Sequence, residues 1–267
     1  YAKALNSQNV ALKVHIKIDT GMHRLGFPCK EVMAVKKVFE MKHLKIGGIY
    51  THLCCADSLL ADDMTFTRRQ IDCFYQLLDT LKKEKIKIPK VHIQSSYGLL
   101  NYPDLTCHYV RAGIALYGVL SAPKDETNLK PDLRPVLSLK SRVVSIRRVK
   151  KGDSVGYGRD FVAERDSQIA IVPIGYGDGF PRSLSNGNGR AAVNGHIVPI
   201  VGRICMDQLS IDITDVQGVS TGNVVTLIGA EECDDLSASA VAYRSGSISN
   251  ELLCRMGARL PVIILRR

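Results

Sequence analysis

The sequence predicts an α/β region followed by a mostly antiparallel β region. Three observations carry this. Up to about residue 120, short apolar runs alternate with helical patterns, the rhythm of βαβ units around a parallel sheet. From Ser121 to Pro135 the chain turns Pro-rich and charged, which suits a linker. Beyond it come strand-like runs with few helical patterns.

The elements follow in order. Ala2, Ala4 and Leu5 suit the end of a helix, with a turn at Asn6-Ser7-Gln8-Asn9. A strand runs from Val14 to Asp19. Val32, Met33, Val35, Val38 and Phe39 then recur at helical spacing. LKIGGIYTHL reads as a second strand. Met64 to Lys83 reads as a long amphipathic helix with Phe66, Ile71, Phe74, Leu77, Leu78 and Leu81 on its apolar face. KVHIQSS and HYVRAGIALYG read as third and fourth strands. In the second half the strand-like runs are LSLKSRVVSIRRV, DSVGYGRDFVA, SQIAIVPIGYG, GRAAVNGHIVPIVGRIC, QLSIDIT and NVVTLIG. Asn194-Gly195 predicts a tight hairpin turn. Short helices are expected at Ser237–Tyr243 and Asn250–Met256, and a last strand at Leu260–Leu265.

Composition narrows the function. The hydrophobic share of 45% and charged share of 23% belong to a globular chain and exclude disorder or a fibrous repeat. No apolar run approaches the roughly 18 residues of a membrane span. The net charge of +10 fits a lysine-biased surface, anionic small ligands or an acidic membrane face. Nucleic acid fits least, because Trp is absent and aromatics are only 6%. The eight cysteines form no C-x-x-C and none is spaced like a zinc site, so no metal is expected. They read as small apolar residues of an unstapled domain in a reducing compartment, with the cytoplasm as default. The chain opens on Tyr1 rather than Met, and reads as a piece of something longer.

Candidate chemistry sits at strand ends. Asp19-Thr20-Gly21, Thr51-His52, Gln94-Ser95-Ser96 and Tyr117-Gly118 close the four predicted strands on polar or small residues. In parallel barrels such ends build the active site. Ser95 and Ser96, with Gly98 behind them, suit phosphate. Arg111 stands beside Ala112 and Gly113, which let a ligand approach the backbone. A strand-edge salt bridge would also explain Arg111, and a core or turn position in a β domain would explain Tyr157.

The runs VHIKIDTGMHRLGF, YTHLCCAD, VRAGIALYG, VGYGRDF, VPIGYGDGF and IVGRICMDQ resemble the alanine racemase family, in its order and along nearly the whole chain. The resemblance implies the second half of a TIM-type (β/α)8 barrel over residues 1–125. A mostly antiparallel β domain over residues 126–267 would carry the catalytic tyrosine and the substrate loop. It also implies pyridoxal 5′-phosphate as cofactor, an amino acid as substrate, and a homodimer with shared active sites. The family's cofactor lysine lies in a K-x-x-x-Y-G type segment, which has no counterpart here.

Racemisation takes a proton from one face of Cα and returns one to the other, so two bases are needed. By match, Tyr157 is one of them. A free tyrosine titrates near pH 10 and is a poor base, so cationic neighbours must favour its phenolate, and His52 and Arg111 are the matched ones. Arg111 would also face the pyridine nitrogen. Arg24 matches the arginine near the substrate carboxylate. Lys17 matches a lysine that is often carbamylated. Met206 and Asp207 match the substrate-side loop from the partner subunit, and Tyr176 a tyrosine at the substrate entrance. Ser96, Gly113 and Ile114 match phosphate-binding positions.

One match departs from the family. Where it usually has Tyr-Glu before the final helix, this chain has Asn250-Glu251. A smaller amide leaves room for a substrate hydroxyl and offers it a donor and an acceptor. In this it resembles the membrane-bound serine/alanine racemases associated with vancomycin resistance, whose racemase domain follows a membrane domain. Drift at a tolerant position would also explain Asn250. The competing readings are an inactive truncated fragment and a non-catalytic pyridoxal-phosphate-binding barrel, which would lack the β domain.

Overall fold

The computed structural model describes residues 11–229, 233–257 and 259–265. The helix end and turn expected over residues 2–9 lie outside them. The chain divides into two compact units, one running to Gly113 and including Asp125–Asp132, the other made of Ile114–Lys124 and Leu133 onward.

The first unit is a parallel sheet with helices. Strands β1 (Leu12–Asp19), β3 (Leu44–Tyr50) and β4 (Lys90–His92) pair in parallel, and a two-residue strand β2 (Phe27–Pro28) lies on the outer side of β1. Helix α1 (Val32–Phe39) buries Val35 and Val38, and helix α2 (Ala61–Lys83) buries Ile71, Phe74, Leu77, Leu78 and Leu81. These residues and the buried Ile16, Ile18 and Ile49 of the sheet form the apolar core of the unit. Helix α2 begins at Ala61, one turn before the expected Met64, with Asp62 and Asp63 in its first turn and Lys82 and Lys83 in its last. Both ends therefore suit the helix dipole. Lys85 adopts a left-handed φ of 61°, and the amides of Lys85 and Ile86 bond back to the carbonyls of Lys82 and Leu81. This is the Schellman closure of a helix.

Two expected strands are shorter or irregular. KVHIQSS stops at His92, because its last residues turn into helix α3 (Ser96–Asn101). HYVRAGIALYG is not a regular strand. The amides of His108 and Tyr109 share one acceptor, Val91 O, and Arg111 N reaches Gln94 O. The segment thus leans on β4 without an alternating ladder, and it closes in a 3-10 turn at Ile114–Tyr117.

The second unit is built on a seven-stranded antiparallel sheet in the order β5-β13-β10-β11-β12-β9-β6. The strands are β5 (Leu139–Arg142), β6 (Ser145–Val149), β9 (Ser167–Val172), β10 (Arg190–Val193), β11 (His196–Val201), β12 (Leu209–Asp212) and β13 (Val224–Ile228). The run LSLKSRVVSIRRV was expected as one strand, yet it supplies both β5 and β6, the two ends of the order. Val143 bonds to Asn223 O and Val144 to Ile171 O, so two residues carry the chain between the edges. The sheet must curl to bring those edges together. Ile169, Ile200, Leu209, Ile211 and Leu227 are buried in this unit. Asn194-Gly195 makes the predicted hairpin, pairing Val193 with His196, and both turn residues have positive φ (48° and 77°) as a type I′ turn requires.

Two further expectations are corrected. DSVGYGRDFVA is broken into β7 (Ser154–Val155), a 3-10 turn at Tyr157–Arg159 and β8 (Phe161–Val162), because Gly156 and Gly158 take φ of 79° and 72°. No strand forms at Leu260–Leu265. Its described residues find no ladder partner, and Val262 and Ile264 are 87% and 84% exposed. The sulfurs of Cys29 and Cys73 lie against each other, bringing the chain after β2 onto α2. The helices α4 (Ala238–Arg244) and α5 (Ser249–Arg255) fall within one residue of expectation. Among the described residues no helix is long and apolar enough to cross a membrane.

Candidate active site

Arg111 organises the ends of the parallel strands. Its Nη2 donates to the carbonyls of Thr51 and Ile93 at 2.9 and 3.0 Å and approaches His52 Nδ1 at 3.1 Å. Nη1 lies 2.7 Å from His92 Nδ1. The guanidinium carbon stands 5.1 Å from the ring centre of Tyr50, and His92 stacks on the same ring at 4.7 Å. An arginine is always a donor, so both histidines must present a lone pair at Nδ1 and carry their hydrogen on Nε2. Arg111 Nε–H makes none of these bonds.

The histidines are neutral as a consequence. Burial and the adjacent Arg111 lower the pKa of His52 below the ordinary imidazole value. Burial, then Arg111 and His15, push His92 down to about 4. The expectation of His52 as a cation is therefore corrected. It offers a neutral N–H donor, and Arg111 is the cation of the pair.

The loop after β1 carries Arg24 and Lys17 is its anchor. Asp19 Oδ1 accepts the backbone N–H groups of Gly21, Met22 and His23 at 3.0, 3.0 and 3.1 Å. Burial raises the pKa of this carboxyl, and the three bonds outweigh that, so it lies below its ordinary value. Lys17 Nζ donates to Leu25 O at 2.6 Å. Its pKa is lowered, first by burial and then by Arg24 and Arg111, against the opposing pull of Asp19. At Gly26, φ is 112° and a Cβ would sit 2.8 Å from Lys17 O, so only glycine closes this loop. Arg24 itself is exposed.

Of the predicted phosphate residues, Ser95, Ser96 and Gly113 lie in this same unit. Ser95 precedes α3, and the Oγ of Ser96 accepts Gly113 N–H at 2.9 Å. A Cβ on Gly113 would meet only that Oγ, at 3.9 Å, so backbone approach there is open. Ile114 is buried and belongs to the second unit.

In the second unit three of the matched runs converge. Asp160, after the Tyr157 turn, is gripped by Arg203 through Nε and Nη2 at 2.5 and 3.0 Å. A Cβ on Gly158 would strike the Arg203 guanidinium at 2.7 Å. Tyr176 N and Gly177 N bond to Cys205 O and Met206 O at 3.0 and 2.8 Å. Arg259 bridges Asp207 and Asp178. Tyr157, Tyr176 and Met206 are left 69%, 43% and 52% exposed on this scaffold. Asn250 opens helix α5, where its Oδ1 accepts Ser121 Oγ at 2.8 Å. One lone pair of this oxygen is thereby engaged.

Sequence reasoning missed His92, Tyr50, Asp160, Arg203 and Arg259. A signal existed for the first: KVH and YTH both end a strand on histidine. The ion pairs join residues far apart in sequence and left none. Among the described residues no cluster of His, Cys, Asp or Glu could hold a metal ion.

His92 makes a pH prediction. Its folded pKa of about 4 lies below the ordinary 6.5, so between those values the unfolded chain binds more protons. Its contribution is intact above pH 6.5 and is lost as pH falls toward 4. The slope is at most about 1.4 kcal/mol per pH unit, and His52 adds in the same direction. Urea unfolding at several pH values should show this loss. His92→Asn, which keeps an acceptor but cannot titrate, should flatten that part of the profile.

Comparison with known proteins completes the picture. Residues 1–121 match the family model "Alanine racemase, N-terminal domain" and residues 136–264 match "Alanine racemase, C-terminal domain". An amino-acid racemase of Enterococcus faecalis is 51% identical over 263 residues, 98% of this chain and 37% of that protein. A serine/alanine racemase of Enterococcus gallinarum is 40% identical, over 99% of this chain and 37% of its own length. An alanine racemase of Halothermothrix orenii is 41% identical, over 95% of this chain and 65% of that one. The crystal structure of alanine racemase from Bacillus anthracis with bound L-Ala-P superimposes with a TM-score of 0.87 at 35% identity, covering 96% of this chain and 65% of that chain. The chain thus spans between 37% and 65% of these relatives. With both family models matched in order and the fold reproduced, the chain belongs to the alanine racemase family.

Proposed function

We propose that this chain forms part of a pyridoxal-phosphate-dependent amino-acid racemase that interconverts L- and D-alanine, accepts serine, and serves peptidoglycan precursor synthesis in the cytoplasm. The parallel strands within residues 1–125 are part of a TIM-type barrel that holds the cofactor. Residues 126–267 are the β domain that brings Tyr157, Met206 and Asp207 to the site of a partner subunit. Any membrane attachment resides in a domain other than these two.

The observation that carries the reading is Arg111, a permanent cation held by two carbonyls and two imidazoles, with Nε–H left for an acceptor. A pyridine nitrogen is such an acceptor, and an arginine does not give up its proton to it. Ser96 and the open backbone at Gly113 suit the phosphate. These residues fit pyridoxal phosphate. The chemistry it supplies when bound is withdrawal of electrons from the substrate Cα, which acidifies the proton there.

This chain's own residues do the rest. Tyr157 Oη moves the proton on one face of Cα. The positive field of Arg111 and the Nε2–H of a neutral His52 favour its phenolate. Arg24 binds the substrate carboxylate, and the Asp19-anchored loop sets its position. The lowered pKa of Lys17 supports its carbamylation, which requires a neutral amine. Tyr176 and Met206 border the substrate entrance. The presence of the β domain argues against a non-catalytic barrel protein.

In the intact protein, Tyr157→Phe should lose racemisation by several orders of magnitude and still bind pyridoxal phosphate, because only the proton-carrying oxygen is removed. Near-normal turnover in both directions would remove Tyr157 from the mechanism.

Asn250 supports serine competence. Its Oδ1 accepts one hydrogen bond from Ser121 Oγ and keeps a second lone pair, and its amide N–H groups can donate, so the side chain can meet a substrate hydroxyl. Asn250→Tyr should lower kcat/KM for L-serine relative to L-alanine by about tenfold, the effect of roughly 1–3 kcal/mol for a buried hydroxyl left unpaired. A ratio that does not fall assigns the chain to alanine alone.

A further inference from the structure

His15 lies outside every role assigned so far, yet the chain makes room for it. The pairing of β1 with β3 slips at this residue, from Val14 opposite Ile46 to His15 opposite Gly48, leaving Gly47 as the extra residue of a bulge. A Cβ on Gly48 would sit 2.4 Å from His15 Nδ1 and 2.6 Å from Cε1, and one on Gly47 would sit 3.2 Å from Nε2. The imidazole fills the space that two side chains would need. A glycine pair inside a strand weakens it, so its presence calls for such a reason.

From that seat His15 Nδ1 lies 2.7 Å from His92 Nε2, with the ring centres 5.0 Å apart. His92 Nδ1 lies the same 2.7 Å from Arg111 Nη1. The direction of this chain of bonds is dictated from one end. Arg111 only donates, so His92 Nδ1 accepts and the hydrogen of neutral His92 resides on Nε2. His92 is 6% exposed, so that Nε2–H needs a partner in the protein. His15 Nδ1 is that partner. A cationic or Nδ1-protonated His15 would set two donors against each other. The hydrogen of His15 is therefore on Nε2, on a ring that is itself exposed, where water satisfies it.

We infer that His15 is a positioning residue: by accepting the Nε2–H of His92 it holds His92 in the tautomer that receives Arg111, and so fixes the guanidinium that faces the cofactor ring. The last link rests on the function proposed above. The first two do not, since they concern only groups of this chain.

The test compares His15→Asn with His15→Leu in the intact protein. An asparagine Oδ1 replaces Nδ1 as acceptor, and leucine keeps bulk without an acceptor. Long-range nitrogen–proton NMR reads the His92 tautomer, and fluorescence titration of the apoprotein reads the dissociation constant for pyridoxal phosphate. The wild type and His15→Asn should show a single Nε2–H tautomer and affinities within about twofold of each other. His15→Leu should lose that signature and bind the cofactor about tenfold more weakly, as expected for a buried N–H left without an acceptor. If His15→Leu fails to fold, Gly48→Ala, which displaces the ring while retaining both histidines, should give the same two changes. An unchanged His92 tautomer or cofactor affinity in the variants lacking the acceptor overturns the proposal. So does an asparagine variant that behaves like the leucine one. A wild type that binds no pyridoxal phosphate contradicts the functional reading, and the His92 tautomer still decides whether His15 sets it.

Discussion

A charged guanidinium taken out of water at the end of a parallel sheet is the constraint around which the first unit is arranged. Burial opposes the charge of Arg111 and lowers its pKa. Four acceptors, two carbonyls and two imidazole nitrogens, offset that cost. They come from two strand ends: Thr51 and His52 follow β3, and His92 and Ile93 stand at the end of β4. The strand ends therefore cannot shift independently. The same cation keeps both histidines neutral, so charge is concentrated on one group and its neighbours become fixed dipoles.

The second unit meets a different problem, holding the loops under exposed side chains still. Tyr157, Tyr176 and Met206 are all substantially exposed, and packing does not fix them. Their backbones are fixed instead. Arg203 binds Asp160 beside the Tyr157 turn, and the 175–177 segment hydrogen-bonds to the 205–206 backbone. At Gly175 a Cβ would lie 2.2 Å from Cys205 O, so the two loops are as close as backbones allow.

Much of this was legible in the sequence where local chemistry decides the outcome. The apolar stripe of α2 and the Asn194-Gly195 turn follow from spacing and turn preference. The motif DTGMHRLGF is intelligible once Asp19 is seen to collect three amides and Gly26 to close the loop on Lys17. What was not legible depended on distant partners. HYVRAGIALYG has strand composition but finds only scattered acceptors on β4. The apolar tail at 260–265 reads as a strand and has no edge to join among the described residues. Cysteines 44 positions apart give no hint that they meet. His15 does not stand out from a strand that happens to contain a histidine.

On the function proposed above, the cofactor's ring nitrogen meets a donor that keeps its proton, Arg111. Nitrogen NMR of the intact protein reconstituted with pyridoxal phosphate labelled at the ring nitrogen tests it directly. The expected result is the chemical shift of an unprotonated, hydrogen-bonded pyridine near neutral pH, moving when Arg111 is replaced by glutamate. A shift characteristic of a protonated ring in the wild type, or one indifferent to that replacement, would contradict it.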